Sequence, residues 1–202
     1  MDKTIWQNDL NFMTALGMVL DAEGGFIDDV DDPNGATNRG ISLAFLQGLE
    51  AENEGDGDVN GDGVVDVEDV RGMSHDEAAE YYYKHFWYGV ARDLPYPLSA
   101  AYFDATVNCG HYQAAKLLQR AVNENAAENV LHVDGIIGPQ SMVAVKHAFA
   151  AGEAKALLFA FGLMRICFYA ELAASPIRAK YLRGWVNRAL TVSSVYTYIN
   201  QK

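Results

Sequence analysis

The sequence predicts a mainly α-helical fold with one short β or turn region, and three observations predict it. Apolar residues recur at three- and four-residue spacing along most of the chain, which lays them on one face of a helix. Glycine and proline gather between those stripes and not within them. The 202 residues are 50% hydrophobic and 21% charged, enough to bury one sizeable core and far from the composition of a disordered chain.

The first stripe is Phe12, Leu16, Val19 and Leu20, ending at Gly24-Gly25, where a helix C-terminus is sterically free. Residues 26–42, rich in Asp, Gly and Asn with Pro33, read as turns with a short hairpin. A helix follows from Ser42 to Glu52, then an acidic, glycine-rich stretch from Glu54 to Asp69. Ser74 and Glu77 form a capping-box pair opening a helix through Tyr81, Phe86 and Trp87, broken by Leu94-Pro95-Tyr96-Pro97. Two further stripes are Leu98, Ala101, Tyr102 and Ala105, and Ala114, Leu117, Leu118 and Ala121. Asp134-Gly135 and Gly138-Pro139 punctuate a loop before a helix from Gln140 to Ala150. Helices over 153–174 and 177–190 precede a β-branched, tyrosine-bearing tail.

The formal charge of −12 argues against a partner held through phosphates, so nucleic acid is excluded as a ligand. The charge is uneven: residues 1–110 carry 22 acidic and 5 basic side chains, 111–150 carry 3 and 3, and 151–202 carry 2 and 7. No secretory signal is visible in the first 23 residues, because Asp2, Asn8, Asp9, Asn11 and Asp21 interrupt any apolar run. The apolar stretch 154–174 contains Arg165 and Glu171 and reads as a buried helix rather than a membrane span. Cys109 and Cys167 lie in apolar surroundings and read as reduced core thiols.

Asp58, Asn60, Asp62, Val64, Asp66 and Asp69 fall at positions one, three, five, seven, nine and twelve of a twelve-residue loop, with Gly63 at six. That is the EF-hand oxygen pattern, in which carboxylate and carbonyl oxygens suit hard calcium and the glycine permits the sharp turn. Asp69 stands where EF-hands usually place Glu, a change found in dockerin-type loops, which DVNGDGVVDVED resembles. Calcium is expected here as a structural ion, not a catalytic one, and a solvated acidic loop is the plain alternative.

Glu23 stands at the end of an apolar helix beside two glycines, a place that suits a carboxyl to hand a proton to a glycosidic oxygen. Asp32 and Thr37 follow and would put a second carboxylate and a hydroxyl across a cleft, with Asp28, Asp29 and Asp31 as rival carboxylates. By spacing alone, a Glu at a helix end is as readily solvated surface. No paired histidines of zinc-hydrolase spacing, no Gly-x-Ser-x-Gly elbow and no cysteine-nucleophile motif is present.

The segment EGGFIDDVDDPNGATNRGIS (23–42) resembles the signature of glycoside hydrolase family 108. The likeness continues in Phe86-Trp87, DLPYPLSAAYFDATVNCG (93–110), Leu118-Gln119, VDGIIGP (133–139) and RGWVNR (183–188). It implies a lysozyme-like helical fold and a hydrolase cutting the β-1,4 bond between N-acetylmuramic acid and N-acetylglucosamine of peptidoglycan. It also implies Glu23 as the catalytic glutamate, with Asp32 and Thr37 where phage-type lysozymes carry its partners. Phe26 replaces a more usual Tyr. Phe26, Asn38, Trp87, Asn108 and His111 are candidate substrate contacts, Trp87 having a core role as its alternative and Asn108 and His111 a helix-capping one. Residues 1–110 are then the catalytic region with the calcium loop, and 111–202 a helical peptidoglycan-binding region packed with it as one unit.

The setting this implies is a monomeric phage or prophage endolysin, held in host cytoplasm and reaching the wall through a holin or a secretion system. A secreted wall-lytic effector and a non-catalytic calcium-dependent wall binder are the alternatives. Arg178, Lys180, Arg183 and Arg188 suggest contact of the last helix with anionic membrane or lipopolysaccharide, a helix docked on the core being the plainer reading.

Overall fold

A computed structural model describes residues 5–28, 34–51 and 56–199, and the side chains among them except those of 22 and 192–199. It is mainly α with a single two-stranded sheet among the described residues. Two compact units divide between His85 and Phe86. The sequence reading drew its regional boundary at 110.

In the first unit, α1 (Leu10–Ala22) is capped by Asp9, whose carboxylate accepts from the Phe12 N–H at 3.0 Å. The stripe read from the sequence is its buried face: Phe12, Leu16 and Val19 lie in the core, and Phe12 meets Tyr83 edge-on with ring centroids 5.0 Å apart. The expected hairpin is β1 (Thr37–Asn38) and β2 (Ile41–Ser42), antiparallel with Thr37 opposite Ser42 and Asn38 opposite Ile41. Helix α2 (Leu43–Ala51) follows directly. The acidic loop leads into α3 (Val67–Gly72), a one-and-a-half-turn helix the hydrophobic pattern did not signal. The Ser74–Glu77 capping box is present and opens α4 (His75–Tyr82). The helix expected through Trp87 does continue, but as a π-helical turn over Tyr83–Trp87.

The second unit contains α5 (Val90–Asp93), α6 (Leu98–Cys109), α7 (His111–Ala126), α8 (Pro139–Ala150), α9 (Ala154–Leu172) and α10 (Leu182–Ile199). Helix α9 packs on both α7 and α10, and α6 on α7, so α7 and α9 form the centre of this unit. Leu98, Tyr102, Phe103, Leu117, Leu118 and Phe161 are buried there.

Two expectations are corrected in this unit. Cys167 is exposed and only Cys109 is partly covered, because α9 turns the Cys167 face outward. The last helix begins at Leu182 and not at 177, since Ser175 to Tyr181 form turns and a short 3-10 segment. Ile177 and Tyr181 therefore leave the apolar face and are exposed, as is Leu190, while Ala189 is buried. No helix among the described residues is long and apolar enough to cross a membrane.

Candidate active site

Glu23 is the C-cap residue of α1, with extended backbone at φ −94° and ψ 146°, and its N–H still donates to Val19 O at 3.1 Å. The helix thus ends at Glu23, turning its side chain out of the helical spiral. The hairpin comes to meet it. Gly40, at φ +79° in the hairpin turn, lies so close that a β-carbon there would stand 2.8 Å from Glu23 Cγ and 2.9 Å from its Cδ, and against the Tyr82 hydroxyl. Only glycine fits a left-handed position pressed against two side chains. The Tyr82 hydroxyl donates to Arg39 O at 2.8 Å, which fixes the turn from α4.

Thr37 is on the same hairpin and is tied by paired backbone bonds of 2.8 Å to Ile27, just beyond the Gly24-Gly25 break. Among the described residues its hydroxyl reaches its near neighbour in the chain, Gly35 O, at 3.5 Å. Asn38 is buried, and its Nδ2 donates to Val70 O at 2.9 Å, with Arg71 O and Met73 O each at 3.4 Å. The amide nitrogen of this candidate substrate contact therefore serves to fasten the hairpin to the end of α3. Phe26 is half-buried, with the Arg71 guanidinium 4.5 Å above its ring. Asp32, with its rivals Asp29 and Asp31, lies outside the described residues.

Trp87, Asn108 and His111 belong to the second unit. Trp87 is 1% exposed and meets Phe103 edge-on at 5.6 Å, which is the core role. His111 is exposed and stacks on Phe86 at 5.5 Å. Asn108 ends a buried polar chain that the sequence did not reveal. Arg165, 1% exposed on α9, donates to Asp104 at 2.6 Å and to the Tyr169 hydroxyl at 3.1 Å. Tyr169 in turn donates to Asn108 Oδ1 at 2.6 Å, and Arg188 donates to the other Asp104 oxygen at 2.8 Å. Since guanidinium has no acceptor, the tyrosine proton must go to Oδ1, which orients the Asn108 amide.

The loop from Asp58 to Asp69 is wound on its own carboxylates. Asp58 accepts from the N–H groups of Gly61, Asp62 and Gly63 at 2.7–3.1 Å, Asn60 from Asp62 at 2.8 Å and Asp62 from Val64 at 2.9 Å. Asp69 is fully buried and accepts from Val59 at 2.8 Å, Asn60 at 3.1 Å and Asp66 at 2.8 Å, while Asp66 caps α3. The donor set is all oxygen and suits a hard divalent cation. Its carboxylates point to backbone N–H groups, and among the described residues no three acidic, His or Cys side chains converge as a metal-binding group. On the far side of the loop the Tyr81 hydroxyl donates to Asp56 O. Burial first, then the charges of Asp69, Glu77, Glu80 and Asp58, push that hydroxyl up to about 12.

Residues 16–110 match the family model described as glycosyl hydrolase 108, and residues 113–190 match one described as a predicted peptidoglycan domain. Among solved structures, the Brucella abortus protein titled SagA is 26% identical, with a TM-score of 0.73 over 95% of this chain and 96% of that one. No curated protein matches the chain. The first match covers Glu23, the hairpin, the acidic loop and Asn108; the second covers α7 to α10 up to Leu190.

Proposed function

We infer that this chain, a glycoside hydrolase acting on peptidoglycan, cuts the β-1,4 bond between N-acetylmuramic acid and N-acetylglucosamine, with Glu23 as proton donor. The glycosidic C–O bond breaks as the leaving oxygen takes the Glu23 proton, and positive charge develops at the anomeric carbon and ring oxygen. Water then adds to that carbon, and the proton it gives up restores the ionised acid, so that Glu23 ends the cycle protonated. Thr37, and Asp32 five residues before it, are the groups assigned to face that charge or hold that water.

The observation that supports the reading is the packing of the Glu23 side chain against the Gly40 backbone, in a turn that the Tyr82 hydroxyl also meets. A carboxyl confined in that way is held in one place for proton transfer, which depends on geometry before all else. The experiment is Glu23→Gln, assayed by reducing ends released from purified sacculi and by mass spectrometry of the fragments. Loss of about 10²- to 10⁴-fold in rate is expected, with unfolding unchanged and muramic acid at the new reducing ends of wild-type digests. Wild-type rates in the variant would remove Glu23 from this role.

The loop at Asp58, Asn60, Asp62, Val64, Asp66 and Asp69 is proposed to hold calcium as a structural ion. Its bearing on catalysis is indirect. The loop feeds α3, whose last carbonyls receive Asn38, and then α4, whose Tyr82 holds the hairpin turn against Glu23. The cation supplies charge neutralisation among the carboxylates and enters no chemical step.

A further inference from the structure

Helices α6 and α9 meet through polar side chains placed one turn apart on each: Asp104 and Asn108 on α6, Arg165 and Tyr169 on α9. The four-residue step on both helices puts each pair on one face and makes a ladder of two rungs, Asp104 with Arg165 and Asn108 with Tyr169, each at 2.6 Å. The first rung is buried, Arg165 being 1% and Asp104 2% exposed. Asn108 is half-buried, in the last turn of α6 before Gly110 ends the helix at φ +78°.

Stability alone gives little reason for this arrangement. Burying Arg165, Arg188 and the Asp104 carboxylate costs desolvation, and apolar side chains of similar volume commonly fill a core as well. What the ladder achieves is direction. Arg165 donates from one nitrogen, Nη2, both to Asp104 and to the Tyr169 oxygen, so the tyrosine proton passes on to Asn108 Oδ1. Burial pushes the Tyr169 hydroxyl up, so it keeps that proton at neutral pH. Each bond polarises the next, and a cation at one end strengthens the donors at the other. Those donors are the two protons on Asn108 Nδ2, which has no partner among the described residues.

The end of this chain selects the ligand class. An oriented N–H pair takes an oxygen acceptor, and an uncharged amide is matched by an uncharged carbonyl. The glycan of peptidoglycan carries such a carbonyl on every ring, in its N-acetyl group.

We propose that Asn108 is a specificity-determining residue that donates through Nδ2 to the N-acetyl carbonyl of a glycan sugar, and that Tyr169 and Arg165 are the positioning residues that aim it. The proposal rests on the peptidoglycan-hydrolase reading only for the identity of the polymer. It gives α9, through Tyr169, a part in recognising the glycan.

The full-length chain carrying Glu23→Gln, chosen to keep the ligand whole, is titrated by calorimetry with a β-1,4-linked tetramer of N-acetylglucosamine. The matching tetramer of glucose, with hydroxyls in place of the acetamides, is the comparison. The acetylated tetramer is expected to bind about tenfold more tightly. Asn108→Asp keeps the bond from Tyr169 but puts an acceptor where Nδ2 stood, and two arginines over one carboxylate accommodate its charge. It should erase the preference by loss on the acetylated tetramer alone. Tyr169→Phe keeps the amide but releases it, and should narrow the preference part of the way, with circular dichroism unchanged in both variants. A preference kept in Asn108→Asp, equal losses on the two sugars, or no preference in the parent chain would each overturn the assignment, as would no binding of the acetylated tetramer at millimolar concentration. If the parent shows the preference while the chain with Glu23 intact releases no reducing ends from sacculi, the hydrolase reading fails and the Asn108 assignment stands.

Discussion

Replacing Gly40 by alanine tests whether the hairpin turn positions Glu23. An alanine at φ +79° costs about 1–2 kcal/mol in backbone strain alone. Its β-carbon would also lie 2.8 and 2.9 Å from Glu23 Cγ and Cδ, against an optimum carbon–carbon separation of about 3.5–4.0 Å. The carboxyl or the turn must therefore move by roughly 1 Å, and a displacement of that size at a reacting group costs about 10²-fold in rate. Gly35→Ala is the control: its φ is +70°, so the strain is similar, but its β-carbon would meet only Leu43 at 3.5 Å, an ordinary contact. Urea unfolding should report a destabilisation in both variants, larger in Gly40→Ala where overlap adds to the strain, while reducing-end release from sacculi should fall about 10²-fold for Gly40→Ala alone. Equal activity in the two variants would refute the argument that the Gly40 backbone holds the Glu23 carboxyl in place.

Asp104→Asn should destabilise the chain by about 3–5 kcal/mol in urea unfolding, because it leaves Arg165 and Arg188 facing an uncharged amide in a site where Asp104 is 2% exposed; a loss under 1 kcal/mol would mean the network carries little. Calcium should raise the melting temperature, by an amount corresponding to about 2.7 kcal/mol at a hundredfold excess over its dissociation constant. Asp62→Ala should abolish that response at small cost without the ion, since among the described residues this exposed carboxylate accepts from Val64 N alone; no response in the wild type would dismiss the site. Thiol labelling of the native chain at neutral pH should modify Cys167 first, because burial pushes the Cys109 thiol up to about 11; two equally fast thiols would contradict the burial of Cys109.

The helices were legible because their stripes and punctuation agree. The Gly24-Gly25 pair ends α1 where expected, which is what put Glu23 at a helix terminus before any coordinates. The Ser74–Glu77 box marked α4 to the residue. Helix α3 was hidden because Asp66 and Asp69, the residues that cap it, are also the residues that spell a metal loop. Helix α10 was misplaced because an apolar period ran smoothly through Ile177 and Tyr181, while the chain around Ser175 turns. At the site, Glu23 and the hairpin could be read, but Gly40 and Tyr82 could not. Nothing in Tyr81-Tyr82-Tyr83 distinguishes the tyrosine that faces the turn from its neighbours. The Asp104–Arg165 pair joins residues 61 apart in sequence. Arg165 served only to argue against a membrane span, and a lone arginine in an apolar helix does not name its partner.

The segments proposed to do the chemistry and to hold calcium are the irregular ones, and in each the backbone polar groups need partners that no helix or strand supplies. The structure meets that need in one recurring way. A single side chain, an amide or a carboxylate, satisfies two or three backbone groups at once: Asn38 the last carbonyls of α3, Asp69 the N–H groups of the acidic loop, and Gln119 and Asn123 the segment before α8. Asn38, Asp69 and Gln119 are all buried, where an unpaired polar atom costs about 1–3 kcal/mol, so each clamp has one favourable arrangement and no cheap alternative. Rigid loops in a helical chain therefore follow from a few buried polar residues rather than from extended sheet. Such residues are spent on backbone groups, and they fix the hairpin that meets Glu23 and the segment before α8. Their loss should spare the helices and disorder the sites, which separates them from core leucines and phenylalanines whose loss unsettles both.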